Sequence, residues 1–199
     1  MENRLSLLDQ IRSIAQHGLH YANDPYDRDR YEMLLNLASK EYSEIVEIKE
    51  SIIKDKFLKE LGHVTPKVGV NGVIFSEERK ILLECRADDG TWGIIGGWCE
   101  AGESPQESLK REFLEETGLT VKVNELIDIF TRKPGDLGQP HTSYHPLFAC
   151  EIMEGKMQKS FESLELKFFH LNEVKNWHGD HYEMAKRAYE SSIINGEII

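Results

Sequence analysis

The sequence has few cysteines, few basic residues and no long apolar run. Its three cysteines are odd in number, widely spaced and without a CxxC pair, which argues against a disulfide-stapled secreted scaffold. No stretch approaches 18 apolar residues, and the first residues are charged without a signal-peptide pattern, so we expect a cytoplasmic protein with no membrane partner. Only 24 Lys and Arg face 35 Asp and Glu, and this net charge of −11 argues against a nucleic-acid partner.

The first third of the chain has the apolar periodicity of helices. Asp24 and Pro25 are an N-cap and a first helical residue, so they divide one helix from the next. The periodicity then continues to Leu61, and Gly62 and Pro66 end it. We therefore predict a small all-α N-terminal domain over residues 1–62. So small a domain cannot bury its apolar stripe alone, so we expect it to pack on the rest of the chain or, preferably, on a second copy in a homodimer.

The remaining residues, 66–199, alternate between strand and helix patterns. The predicted strands cover residues 68–75, 80–85, 92–95, 121–132, 144–153 and 166–170, and a closing amphipathic helix covers 182–194. Strands interleaved with helices predict a second domain of the α/β class, an α/β/α sandwich with a mixed sheet.

A strongly acidic stretch from Gly97 to Leu119 stands out within this second domain. Its 23 residues include six glutamates and only two basic residues. Ser104 and Glu107 form a capping box around Pro105, and Gly118 is suited to the left-handed residue that ends a helix. The pattern predicts a helix over residues 105–117.

Three glutamates share one side of this predicted helix. Glu112 and Glu116 are four residues apart, and Glu115 is three residues from Glu112. Like charges at these spacings oppose helix formation by about 0.2–0.5 kcal/mol per pair. A hard divalent cation offsets such repulsion, since Mg²⁺ prefers carboxylate oxygens and completes its shell with water and phosphate. The alternative is a solvated surface helix, which does not account for the glycine-rich loop before it.

The same stretch resembles the signature of the Nudix hydrolases. The matching positions are Gly97, Glu103 after five residues, and the run from Arg111 to Leu119 after seven more. The resemblance implies the Nudix fold and a catalytic role for residues 66–199. It implies that Glu112, Glu115 and Glu116 bind Mg²⁺ or Mn²⁺, with the backbone carbonyl of Gly97, or of Gly96, as a further ligand. Arg111 would orient the glutamates, and Glu103 would brace the loop.

Residues 17–32 resemble the helical N-terminal extension of a Nudix subfamily that includes CDP-choline and ADP-ribose pyrophosphatases. This resemblance implies hydrolysis of the pyrophosphate bond in a nucleoside diphosphate linked to another moiety, by metal-activated water. Two alternatives remain open. One is a phosphohydrolase for nucleoside triphosphates or RNA 5′ ends, and the other is a nucleotide-binding module that does not hydrolyse its ligand.

Several residues outside the signature are candidates for substrate chemistry. Glu162 is expected to supply a base or a further metal ligand across the cleft, and we prefer it to the nearby Glu165. Arg86 is a candidate phosphate contact, and Trp92 a candidate to flank a base. Two of these residues also have a structural interpretation, a solvated turn for Glu162 and core packing for Trp92. The polar loop 133–145, rich in Pro and Gly, is expected to grip the substrate.

Overall fold

The described part of the chain contains five α-helices and seven β-strands. The computed structural model describes residues 2–139 and 141–194. The first residue of the predicted N-terminal domain and the last five of the predicted catalytic domain therefore lie outside the described residues. The helices are α1 Glu2–Tyr21, α2 Pro25–Val46, α3 Glu50–Leu58, α4 Pro105–Thr117 and α5 His181–Ile194. The strands are β1 Lys67–Val73, β2 Ile81–Arg86, β3 Trp92–Gly93, β4 Ile95–Trp98, β5 Leu119–Arg132, β6 Ser143–Gly155 and β7 Ser163–Phe169.

The chain divides into two compact units. One contains Met1–Lys67 together with Arg132–Ser143, and the other contains Val68–Thr131 and Tyr144–Ile199. Most of the polar loop after β5 thus groups with the helices. The division into an N-terminal domain of residues 1–62 and a catalytic domain of residues 66–199 stays a prediction. None of the described helices combines the length and apolarity that a membrane span requires.

Helix α2 begins where the sequence predicts, and the helical region is divided a second time after it. The Asp24 side chain accepts a hydrogen bond from the Tyr26 N–H at 2.8 Å, and Pro25 is the first residue of α2, which confirms the predicted cap. The helical periodicity predicted to continue to Leu61 is divided between α2, which ends at Val46, and α3, since Glu47 adopts a left-handed conformation with φ of 54°. Neither glycine nor proline marks this break, and the apolar periodicity continues across it.

The first unit buries one side of its helices and leaves another exposed. Leu35 and Tyr42 of α2 are at most 2% exposed, and they pack in clusters with residues of α1 and α3. Several large apolar side chains of α1 and α2 are more than half exposed: Leu7, Ile14, Met33 and Leu37. The helices therefore keep an apolar surface that this chain does not bury.

The second unit is a sandwich of helices and two sheets. One sheet has the order β4-β1-β6-β5 and the other the order β3-β2-β7. Successive residues of β1 face opposite sides. Gly72 faces Phe113 of α4, whereas Val73 packs in a cluster with Met184 of α5. Helix α4 and helix α5 therefore cover opposite faces, which confirms the α/β/α sandwich.

The strand predicted over residues 92–95 is in fact two strands in different sheets. β3 pairs antiparallel with β2, whereas β4 pairs antiparallel with β1. Ile94, which lies between them, is buried. The apolar pattern is continuous because both strands contribute to the same core. All three cysteines are free.

Candidate active site

Helix α4 is fixed in place by its caps and by its apolar face. The Ser104 hydroxyl accepts from the Glu107 N–H, and the Glu107 carboxylate accepts from the Ser104 N–H at 2.8 Å, which confirms the capping box. Gly118 ends the helix with φ of 69°. Leu109 and Phe113 are fully buried. Their burial sets the rotation of the helix and directs Glu112 and Glu116 toward β4, while Glu115 is exposed.

The outer edge of β4 carries backbone groups that α4 covers. The Cys99 N–H donates to the Val68 carbonyl at 2.9 Å, and hydrogen-bonded pairs alternate along an antiparallel ladder. The polar groups of Gly97 therefore point toward β1, while those of Gly96 and Trp98 point outward. Accordingly, the Gly96 N–H donates to Glu116 Oε2 at 3.3 Å.

This alternation bears on the two glycines that the resemblance leaves open as metal ligands. It favours Gly96 over Gly97 as the source of an outward-facing carbonyl. Gly97 has a different constraint, because a Cβ there would lie 2.6 Å from Cδ of Glu112. The glycine thus allows the carboxylate to lie directly against the strand.

Arg111 links three carboxylates to the edge of the sheet. Its Nη1 donates to Glu112 Oε1 at 2.8 Å and to Glu115 Oε2 at 3.1 Å. Its Nε lies 3.3 Å from both oxygens of Glu103, and its Nη2 donates to the Trp98 carbonyl at 3.2 Å. This geometry is the one expected of a residue that orients the glutamates.

Two carboxylates in this region are almost completely buried. Glu116 is 7% exposed, and Glu84 on β2 is 3% exposed and accepts a hydrogen bond from the Ser163 hydroxyl at 2.7 Å. Burial raises the pKa of both, and the Glu116 pKa is raised further by the charges of Glu84 and Glu112. The pKa of Glu112 is also raised, chiefly by burial.

Glu84 was not predicted from the sequence, although a signal is present. It is the one charged residue within the buried run Ile81–Glu84. Leu82, which belongs to the same cluster as Leu109 and Phe113, is two residues away. Strand alternation therefore directs Glu84 to the α4 side of the sheet.

Glu162 lies close to these carboxylates. Its carbonyl accepts from the Ala87 N–H at 2.7 Å, which fixes the chain just before β7. Its charge contributes to the raised pKa values of Glu84, Glu112 and Glu116. The Glu162 side chain is exposed, so it is accessible to solvent beside the buried pair.

The donor set fits a hard divalent cation in its chemistry. Carboxylate and carbonyl oxygens suit Mg²⁺ and Mn²⁺, and like charges buried together need positive charge beside them. No three His, Cys, Asp or Glu side chains in the described residues already converge as a metal site. The reason is visible in the hydrogen bonds: Arg111 holds Glu112 and Glu115, while Glu116 is turned to Gly96. Cation binding would therefore require these partners to be exchanged.

The two candidate substrate residues have different surroundings. Arg86 follows Glu84 by two residues on β2 and makes a two-point ion pair with Asp88, at 3.1 and 2.7 Å. Trp92 packs in the second core cluster, with its ring 4.6 Å from that of Phe169. This packing corresponds to the structural interpretation of Trp92, and its predicted substrate contact has no support from the geometry.

Comparison with known proteins agrees with this fold. Residues 65–188 match the family model described as the NUDIX domain, and residues 3–57 match that of a UDP-X-like, N-terminal oligomerisation domain. The first match covers more than half of the chain. The chain therefore belongs to the Nudix hydrolase family.

Individual relatives extend over most of the chain. YjhB of Bacillus subtilis is 34% identical over 166 residues, which are 83% of this chain and 79% of that protein. The ADP-ribose pyrophosphatase of Methanocaldococcus jannaschii is 32% identical over 156 residues, 76% of this chain and 87% of that protein.

Solved structures show the same fold. The crystal structure of a UDP-X diphosphatase has a TM-score of 0.58 and 26% identity, and the match covers 96% of this chain and 97% of the UDP-X diphosphatase chain. That of an ADP-ribose pyrophosphatase from Streptococcus suis has a TM-score of 0.55 and 28% identity, over 64% of this chain and 92% of its own.

Proposed function

We propose that this Nudix hydrolase cleaves the pyrophosphate bond of a nucleoside diphosphate linked to another moiety, with Mg²⁺ or Mn²⁺ as cofactor. The observation that carries the proposal is the set of carboxylates gathered beside the outer edge of β4. Glu116 accepts from the Gly96 N–H there and Glu112 lies against Gly97, while the buried Glu84 of β2 is close enough for its charge to raise the Glu116 pKa. Buried acids of one sign are costly to fold without a cation, so a cation-dependent reaction accounts for their presence.

ADP-ribose is the first substrate to test. The relative from Methanocaldococcus jannaschii and the structure from Streptococcus suis are both named ADP-ribose pyrophosphatases. The match to the UDP-X diphosphatase extends over both units of the chain, so UDP-linked substrates are included in the same test. The inclusion of CDP-choline as a candidate substrate depends on the resemblance of residues 17–32 to the N-terminal extension of that Nudix subfamily.

In this proposal the residues of the chain have distinct roles. Glu112, Glu115 and Glu116, with the carbonyl of Gly97 or Gly96, would hold the cation. When bound, it neutralises phosphate oxygens and lowers the pKa of a bound water. Glu162, exposed beside the buried carboxylates, accepts the proton of the attacking water. Arg86 exchanges Asp88 for a phosphate oxygen and stabilises charge on the leaving group.

We also propose that the protein is a homodimer joined through its N-terminal helices. Residues 3–57 match a domain whose description includes oligomerisation. The exposed apolar side chains of α1 and α2, such as Ile14 and Leu37 at 59% each, supply a surface for such contact. Light scattering tests this directly, and a monomer at micromolar concentration would contradict it.

The catalytic proposal is tested with glutamine variants. Glu115→Gln and Glu116→Gln should each lower kcat on the best substrate by roughly 10² or more, since each removes a charge from the cation site. Glu162→Gln should lower kcat and change its pH profile. Glu165→Gln, an exposed glutamate on β7, is the matched control and should retain activity.

Three results would contradict the proposal, and the last two would favour its alternatives. Unchanged turnover in both cation-site variants would remove the assigned roles. Cleavage of a nucleoside triphosphate but of no nucleoside diphosphate derivative would indicate a triphosphate hydrolase. Tight nucleotide binding without product in either metal would indicate a binding module.

A further inference from the structure

Trp98 is an exposed aromatic side chain directly beside the carboxylate edge. It follows Gly97 and ends β4, and it is 47% exposed. The Cβ position of Gly97 faces Glu112, so the Trp98 side chain projects to the opposite face of the sheet. β4 is the edge strand of its sheet, so the indole ring and the contact of Glu112 with Gly97 lie on the two faces of one sheet edge.

The indole ring is supported from the sheet side. The ring of His145, on β6, lies 5.6 Å from it at an angle of 56°. Gly69 is the β1 partner of Trp98, and a Cβ at Gly69 would lie 2.6 Å from Cε1 of His145. Gly69 in β1, the strand between β4 and β6, thus leaves room for the buried His145 ring. The His145 ring in turn packs against the indole ring.

The backbone of Trp98 is tied to the catalytic helix. Its carbonyl accepts from Arg111, the residue that also holds Glu112 and Glu115. Consecutive Cα atoms are about 3.8 Å apart, so the ring originates one residue from the strand position that contacts Glu112. An aromatic side chain whose backbone is held in place and whose ring is partly exposed to solvent is suited to stacking on a planar ring.

We propose that Trp98 is the platform on which the nucleobase of the substrate stacks. The inference rests on the proposed function, because the diphosphate at the carboxylates brings the base to this edge. The other two tryptophans are poorer candidates, since Trp92 and Trp177 both pack against the second core cluster. Stacking on an aromatic ring tolerates any base, so Trp98 sets affinity for the nucleoside and leaves discrimination between bases to polar groups.

Binding of AMP, CMP and UMP in Mg²⁺, measured by calorimetry, tests the platform without hydrolysis, because these mononucleotides contain no pyrophosphate bond. Trp98→Ala should weaken the preferred mononucleotide about tenfold or more, and Trp98→Phe should restore most of the affinity. Trp98→Leu keeps apolar bulk without an aromatic face and should bind as weakly as Trp98→Ala. Leu126→Ala, which removes an apolar side chain of the same 47% exposure from β5, should bind like the wild type.

Two further measurements separate stacking from a structural role. Mononucleotide binding should quench tryptophan fluorescence in the wild type and not in Trp98→Phe. With a hydrolysable substrate and Mg²⁺, Trp98→Leu should raise KM about tenfold while kcat changes less than threefold. Equal mononucleotide affinity in the wild type, Trp98→Ala and Trp98→Leu would overturn the platform, and so would a wild type that binds none of the three.

The outcomes distinguish this inference from the proposed function. Hydrolysis of ADP-ribose with unchanged affinity in Trp98→Ala would reject the platform and leave the proposed function intact. Base binding that depends on Trp98, without hydrolysis of any diphosphate, would support the platform and reject the proposed function.

Discussion

Replacing Glu116 with glutamine tests whether the buried carboxylates are held in a costly state without a cation. Glu116 is 7% exposed, and its pKa is raised by burial and by Glu84 and Glu112 from an ordinary value of 4.5. A raised carboxyl pKa means that the folded protein binds the proton more tightly than the unfolded chain does. Stability from this group is therefore lost as pH rises above about 4.5, up to the raised pKa.

The upper limit of the effect follows from the same shift. Each pH unit between the ordinary pKa and the raised one costs up to about 1.4 kcal/mol, and proton uptake shared with Glu84 and Glu112 reduces this cost. We expect Glu116→Gln to stabilise the metal-free protein by about 1–3 kcal/mol at pH 8 and by little at pH 5. The glutamine oxygen can still accept from Gly96. For a chain of this length the corresponding rise in Tm is about 2–4 °C per kcal/mol.

Thermal unfolding in EDTA and in excess Mg²⁺ measures both halves of this prediction. Mg²⁺ should raise the Tm of the wild type and raise that of Glu116→Gln much less, because the variant has lost one charge of the cation site. Glu165→Gln serves as the exposed control and should follow the wild type. If Glu116→Gln lowers the Tm at pH 8 in EDTA, or if Mg²⁺ stabilises both proteins equally, the reasoning is wrong.

Three further substitutions test neighbouring parts of the site. Gly97→Ala places a Cβ against Glu112, and we expect at least a tenfold loss of kcat and a loss of about 1–3 kcal/mol by urea unfolding. Ser104→Ala removes the helix cap and should cost about 1 kcal/mol in the same assay, whereas an unchanged midpoint would show that the capping box does not stabilise α4. Ser163→Ala removes the donor to Glu84 and should cost about 1–3 kcal/mol at pH 8, with a smaller loss at pH 5, where Glu84 is protonated in larger part.

Local patterns predicted the parts of the fold that depend on neighbouring residues. The capping box of Ser104 and the cap at Asp24 are interactions across three residues or fewer, and both occur as the sequence indicates. The position of the break at Glu47 was not predicted, because Glu47 adopts a left-handed conformation although it is neither glycine nor proline. The division between β3 and β4 was missed because pairing partners lie far away in the sequence.

The site shows the same division between local and distant information. The spacing of Glu112, Glu115 and Glu116 on one helix could be interpreted directly from the sequence. Glu84 could not be assigned in this way, because its proximity to Glu116 depends on how the two sheets and α4 pack together. Trp92 and Trp98 are equally aromatic in the sequence, and only the structure distinguishes the packed ring from the exposed one.

Product analysis with ADP-ribose tests the central claim most directly. The purified protein is incubated with ADP-ribose in Mg²⁺, in Mn²⁺ and in EDTA, with CDP-choline and a UDP-linked sugar in parallel, and the products are separated by chromatography. We expect a nucleoside monophosphate and the phosphorylated second moiety, AMP and ribose 5-phosphate from ADP-ribose, only when a divalent metal is present and not with Glu115→Gln. Cleavage that continues in EDTA, or no cleavage of any nucleoside diphosphate derivative in either metal, would contradict the account.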